Sequence, residues 1–100
     1  MMTSLHYAEQ RQQREALIKE IGEGKIVKTV IIDRGHHNGP EIHKISDTGI
    51  ITIFNKRTRK LVTKLVARPG QIRRYFKKGE APQNLIEIAI EHQKLAYNVA

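Results

Sequence analysis

The stretch Glu41-Ile42-His43-Lys44-Ile45-Ser46-Asp47-Thr48-Gly49-Ile50-Ile51-Thr52-Ile53-Phe54-Asn55 decides the fold. Two runs rich in isoleucine flank Ser46-Asp47-Thr48-Gly49, a cluster of turn-forming residues. So short a link joins antiparallel strands, because parallel strands need a crossover of a dozen residues or more. Working outward, Asn55-Lys56-Arg57-Thr58-Arg59 is a second turn, and Lys60 to Ala67 returns as a third strand. Pro69 then ends strand pairing, since it has no N–H to donate. Upstream, Lys25 to Asp33 carries Val27, Thr29, Val30, Ile31 and Ile32 and reads as a further strand, followed by a loop over Arg34 to Pro40. The expectation is an antiparallel sheet of three or four strands within residues 25–68.

Helices flank this sheet. Residues 4–21 follow a capping Thr3 or Ser4 and carry a partial stripe of Leu5, Ala8, Leu17, Ile18 and Ile21, ended by Gly22 and Gly24. The middle turns, with Gln10, Arg11, Gln12, Gln13 and Arg14, are polar on every side. Residues 70–78 read as a short basic helix with Ile72 and Phe76 inward at i, i+4 and Gly79 as its stop. Residues 82–97 form the last helix, with Leu85, Ile88, Ala89, His92 and Ala96 on one face and Ile86 and Ile90 widening it. That width points to a second contact, either with the first helix or with another subunit. The fold class is therefore α+β, one domain over 1–100.

Charge supplies the functional signal. Between Asp47 and Glu80 there is no acidic residue, yet the gap holds Lys56, Arg57, Arg59, Lys60, Lys64, Arg68, Arg73, Arg74, Lys77 and Lys78. The segment carries ten positive charges, while the remaining eight basic and ten acidic residues leave the rest at −2. Concentrated like charge is self-repelling unless a polyanion relieves it, and a phosphate backbone does so with release of counterions. Lys56, Arg57, Arg59, Lys60, Arg73, Arg74, Lys77 and Lys78 are the expected nucleic-acid contacts. With five aromatic residues in the chain, a broad stacking platform for single strands is not expected. No cysteine is present, which excludes disulfides and thiolate metal sites and fits a reducing cytoplasmic setting. No apolar run approaches a membrane span, no secretory signal stands at Met1 to Ser4, and no nucleotide fingerprint is present, so neither membrane nor cofactor is expected.

Two clusters could carry chemistry. One is the histidine-bearing segment Arg34-Gly35-His36-His37-Asn38-Gly39-Pro40-Glu41-Ile42-His43; the other is the basic junction Thr63 to Tyr75. Cleaving RNA without a metal needs a base for the 2′-hydroxyl, an acid for the leaving oxygen and cations on the phosphate. Imidazole suits the first two roles and guanidinium the third. Alternation along the strands puts Glu41, His43 and Ile45 on one face. His43 then stands beside Lys64 and Arg68 or beside Thr63, depending on register. In the expected scheme His43 takes the 2′-hydroxyl proton, Arg68 and Lys64 steady the phosphoryl charge, and His36, His37 or Tyr75 protonates the leaving group. His36, His37 and His43 are not spaced as a metal set, because adjacent histidines rarely both reach one ion.

The order helix, small antiparallel sheet, basic strand end and closing helix resembles the barnase/colicin/RelE-type ribonuclease toxins. The resemblance runs over about residues 25–78, through Glu41-Ile42-His43, Gly49 to Asn55, Lys60 to Thr63 and Ala67 to Tyr75. It implies His43, Thr63, Lys64, Arg68 and Tyr75 around a scissile phosphate, and of the two nucleic acids RNA is expected before DNA. Besides this ribonuclease-like reading, the same surface would serve a phage or bacterial nucleic-acid-binding module without catalysis. A third class is an adaptor or inhibitor docking an acidic protein surface, and a homodimer or a protein inhibitor are further partners to expect.

Overall fold

Strand pairing follows chain order. In the computed structural model, which describes residues 2–97, β1 (Ile26–Ile32), β2 (Glu41–Ser46), β3 (Ile50–Asn55) and β4 (Leu61–Val66) form one sheet in the order β1-β2-β3-β4. Every neighbouring pair is antiparallel. The helices are α1 (Met2–Ile21), α2 (Pro69–Tyr75) and α3 (Gln83–Tyr97). The α+β meander expected from the turn residues is therefore present, with four strands. The side chains of Thr3, Ser4, Leu5, Ala8 and Ala96, read as cap and apolar stripe, lie outside those described.

Register assigns the two faces. Val30, His43, Ile53 and Thr63 form one cross-strand row, and Ile45, Ile51 and Leu65 lie in the row above it. This face meets α2 and α3 in a core of Ile45, Ile51, Ile53, Ala67, Ile72, Leu85, Ile86 and Ala89. The isoleucines suit a pleated surface on which branched side chains interlock.

The β2–β3 turn ties α1 to the sheet. Gly22 ends α1 in the left-handed region, and its N–H donates to the Ile18 carbonyl at 2.9 Å. The Thr48 hydroxyl donates to the Gly22 carbonyl at 2.8 Å, and the Asp47 carboxylate accepts the Lys25 N–H at 2.9 Å. Gly24 has φ +68°, and a side chain there would run into that carboxylate. The polar middle of α1 is exposed at Arg11, Gln12 and Gln13, as its composition implies.

One element is shorter than its sequence suggests. The helix read over 70–78 ends at Tyr75, and Phe76 is extended (φ −118°, ψ 151°) while its ring still packs against the core. Continuing the helix would stack Arg73 on Lys77 and Arg74 on Lys78 at i, i+4, with no acidic residue to offset them. Instead Lys77 to Glu80 turn back, the Glu80 N–H donating to the Lys77 carbonyl at 2.9 Å. Among the described residues no helix is long and apolar enough to cross a membrane.

Candidate active site

Because strand residues alternate, Glu41 and His43 project from the helix-covered face of β2 two residues apart. α2 crosses that face from the end of β4 and brings Tyr75 over His43. The Tyr75 Oη lies 2.6 Å from His43 Nδ1, and His43 Nε2 lies 3.1 Å from Glu41 Oε1. A carboxylate can only accept, so the Nε2–H of His43 donates to Glu41. In the neutral imidazole Nδ1 is then left as the acceptor of the Tyr75 O–H. The result is a hydrogen-bonded chain, Tyr75 to His43 to Glu41, leading from a half-buried phenol into the sheet.

His43 is only 3% exposed, so solvent meets the chain at its two ends, the half-buried Tyr75 and the Glu41 carboxylate, whose side chain is 32% exposed. Burial raises the Tyr75 pKa above its ordinary value. The nearby Arg34 guanidinium works against that rise, Glu41 adds to it, and Arg74 again lowers it. The net direction is upward, so the two guanidinium charges offset only part of what burial does to the phenol.

The other expected site residues divide. Thr63 is in the His43 row, two strands away with Ile53 between them. Lys64 pairs with Thr52 and lies on the opposite face, where it forms an ion pair with Glu23. Arg68 is exposed at the far end of α2 from Tyr75, and its N–H donates to the Gln71 side-chain oxygen at 2.9 Å. A seven-residue helix is about 10 Å long, so Arg68 stands apart from Tyr75, and the guanidinium charges that act on the phenol are those of Arg34 and Arg74.

His36 and His37 have exposed side chains on a loop whose backbone is fixed. The Asn38 carbonyl accepts from Asn55 Nδ2 at 3.1 Å, and the His37 carbonyl accepts from Arg57 Nη1 at 3.4 Å. The Arg57 side chain lies against Gly39, which has φ +83° and no room for a side chain. This docking sets the 33–40 loop beside the β3–β4 turn bearing Lys56, Arg57, Arg59 and Lys60, all exposed. Arg73, Arg74, Lys77 and Lys78 are exposed around the end of α2. Of the ten basic residues in the acid-free segment, Lys64 has a carboxylate partner and the other nine have none among the described residues.

Glu41 was legible as a face-mate of His43. Arg34 was not, since its approach to Tyr75 depends on how α2 folds back over β1 and β2. No three His, Asp or Glu side chains among the described residues gather as metal donors. Comparison with protein-family models, with curated proteins and with solved structures finds no match.

Proposed function

We propose that this protein binds RNA through its acid-free basic segment and cleaves it without a metal ion, with Tyr75 as the group that exchanges protons with the substrate. The observation that carries the reading is the Tyr75–His43–Glu41 chain, whose phenol end feels the charges of Arg34 and Arg74. As the 2′-oxygen attacks phosphorus, its proton passes to the Tyr75 oxygen and the Tyr75 proton passes to His43 Nδ1. Glu41 balances the imidazolium so formed. The bond from phosphorus to the 5′-oxygen breaks, leaving a 2′,3′-cyclic phosphate and a 5′-hydroxyl. The leaving oxygen takes its proton from His36, His37 or water. Arg34 and Arg74 stabilise the charge that builds on the phosphoryl oxygens.

This differs from a scheme in which His43 meets the substrate itself, because both ring nitrogens are occupied and the ring is buried. The same burial favours a second reading, a nucleic-acid-binding module in which the chain is structural. Purified protein incubated with mixed RNA in EDTA separates the two. Cleavage by the wild type that drops about a hundredfold or more in Arg34→Ala with Arg74→Ala, at unchanged fold, is the expected result. RNA binding with no cleavage across a broad panel leaves the module.

A further inference from the structure

The sheet face turned away from α2 and α3 carries an apolar row whose two ends are exposed. Register aligns Ile31, Ile42, Phe54 and Leu61 across all four strands. Ile31 is 55% exposed, Leu61 52%, and the neighbouring Val62, the extra residue at the irregularity opposite Ile53 and Phe54, 52%. Strand spacing makes the row about 14 Å long. It opens into a cleft of about 390 Å³ between α1 and β4, lined by Arg11, Arg14, Glu15, Ile18, Leu61 and Val62, with Lys64 engaged by Glu23, so that two arginines face one carboxylate there. Lys44 stands in the neighbouring cross-strand row on the same face, its Nζ 5.5 Å from the Phe54 ring centre.

We infer that this face docks an acidic amphipathic helix of another protein. The chemistry of the surface chooses among occupants. Nucleic acid gains little from isoleucine and leucine, and the single ring present, Phe54, already carries Lys44. A second copy packed face to face about a two-fold axis would bring two sets of Lys44, Arg11 and Arg14 into one interface, an excess of like charge. A helix with apolar residues at i, i+3, i+4 and i+7 lays a ridge of about 10 Å into the row. Carboxylates beside that ridge meet Lys44 in the neighbouring row and Arg11 and Arg14 at the β4 end. The face lies on the opposite side of the sheet from Tyr75, so the inference does not rest on the cleavage reading, and both partners can bind together.

The test is an NMR titration of the isotope-labelled chain with a synthetic fourteen-residue helical peptide bearing leucines at i, i+3, i+4 and i+7 and glutamates beside them. A second peptide replaces the glutamates with lysines. The expected result is shifts centred on Ile31, Ile42, Lys44, Phe54 and Leu61 with the acidic peptide. Leu61→Asp should weaken binding about tenfold or more, and Lys44→Glu should move preference toward the lysine peptide. Ile31→Asp serves as the second variant should Leu61→Asp lose the native spectrum. Shifts elsewhere, no shifts at millimolar peptide, or equal binding of the two peptides overturns the inference. So does a dimer in sedimentation that Leu61→Asp dissolves, which assigns the face to a second copy. Binding to anionic vesicles by a protein inert to the peptide likewise overturns it, assigning the face to a membrane.

Discussion

Tyr75 and His92 are both partly withdrawn from water, with different consequences. The Tyr75 O–H satisfies a buried ring nitrogen, so Tyr75→Phe leaves His43 Nδ1 without its partner. The variant is expected to lose about 1–3 kcal/mol, read by urea unfolding at neutral pH. His92 on α3 has a buried Nδ1 with no hydrogen-bond partner among the described residues, and burial lowers its pKa from the ordinary 6.5, against a smaller opposing effect of Glu91. Folded His92 therefore binds its proton more weakly than the unfolded chain does. Its contribution to stability is complete above about pH 6.5 and is lost as pH falls through the lowered folded value. Unfolding midpoints measured from pH 7.5 down to pH 4.5 should show this decline in the wild type, and a smaller decline in His92→Gln.

At the scale of elements, α2 links packing to chemistry, because Ile72 holds it to the sheet and Tyr75 sits at its end. Ile72 is fully buried, so Ile72→Ala is expected to cost about 2–5 kcal/mol, whereas Arg73→Ala on the outward face should change stability by about 0.5 kcal/mol or less. Denaturant midpoints of the two variants check this. The meander was legible because Ser46 to Gly49 and Asn55 to Arg59 are turn chemistry between β-branched runs, and that reading needs only local residues. Alternation likewise put Glu41 and His43 on one face. The position of Lys64 relative to His43 was not legible, because it depends on strand register, and a slip of one residue moves a side chain to the other face. The early end of α2 was hidden for another reason. Phe76 keeps its inward place through an extended backbone, so the i, i+4 spacing from Ile72 gave the right burial for the wrong conformation.

For the whole molecule the governing quantity is uncompensated charge. Nine exposed basic residues of the acid-free segment have no carboxylate partner among the described residues: four on the β3–β4 turn beside the 33–40 loop, four around the end of α2, and Arg68 at its start. RNA affinity is expected to fall steeply with salt, with a log–log slope of several units, and Arg73→Ala with Lys77→Ala should weaken binding to all sequences alike while making the slope shallower. Fluorescence anisotropy between about 50 and 200 mM salt measures both effects. The relay itself is tested most directly by the rate at which 2′,3′-cyclic phosphate ends appear when RNA is incubated with protein in EDTA. Tyr75→Phe keeps the ring and the fold but cannot pass a proton. The expected result is cleavage by the wild type and a rate about a hundredfold or more lower in Tyr75→Phe, at equal RNA affinity. Cleavage by Tyr75→Phe at the wild-type rate, or no cyclic phosphate from the wild type, would contradict the role given to Tyr75.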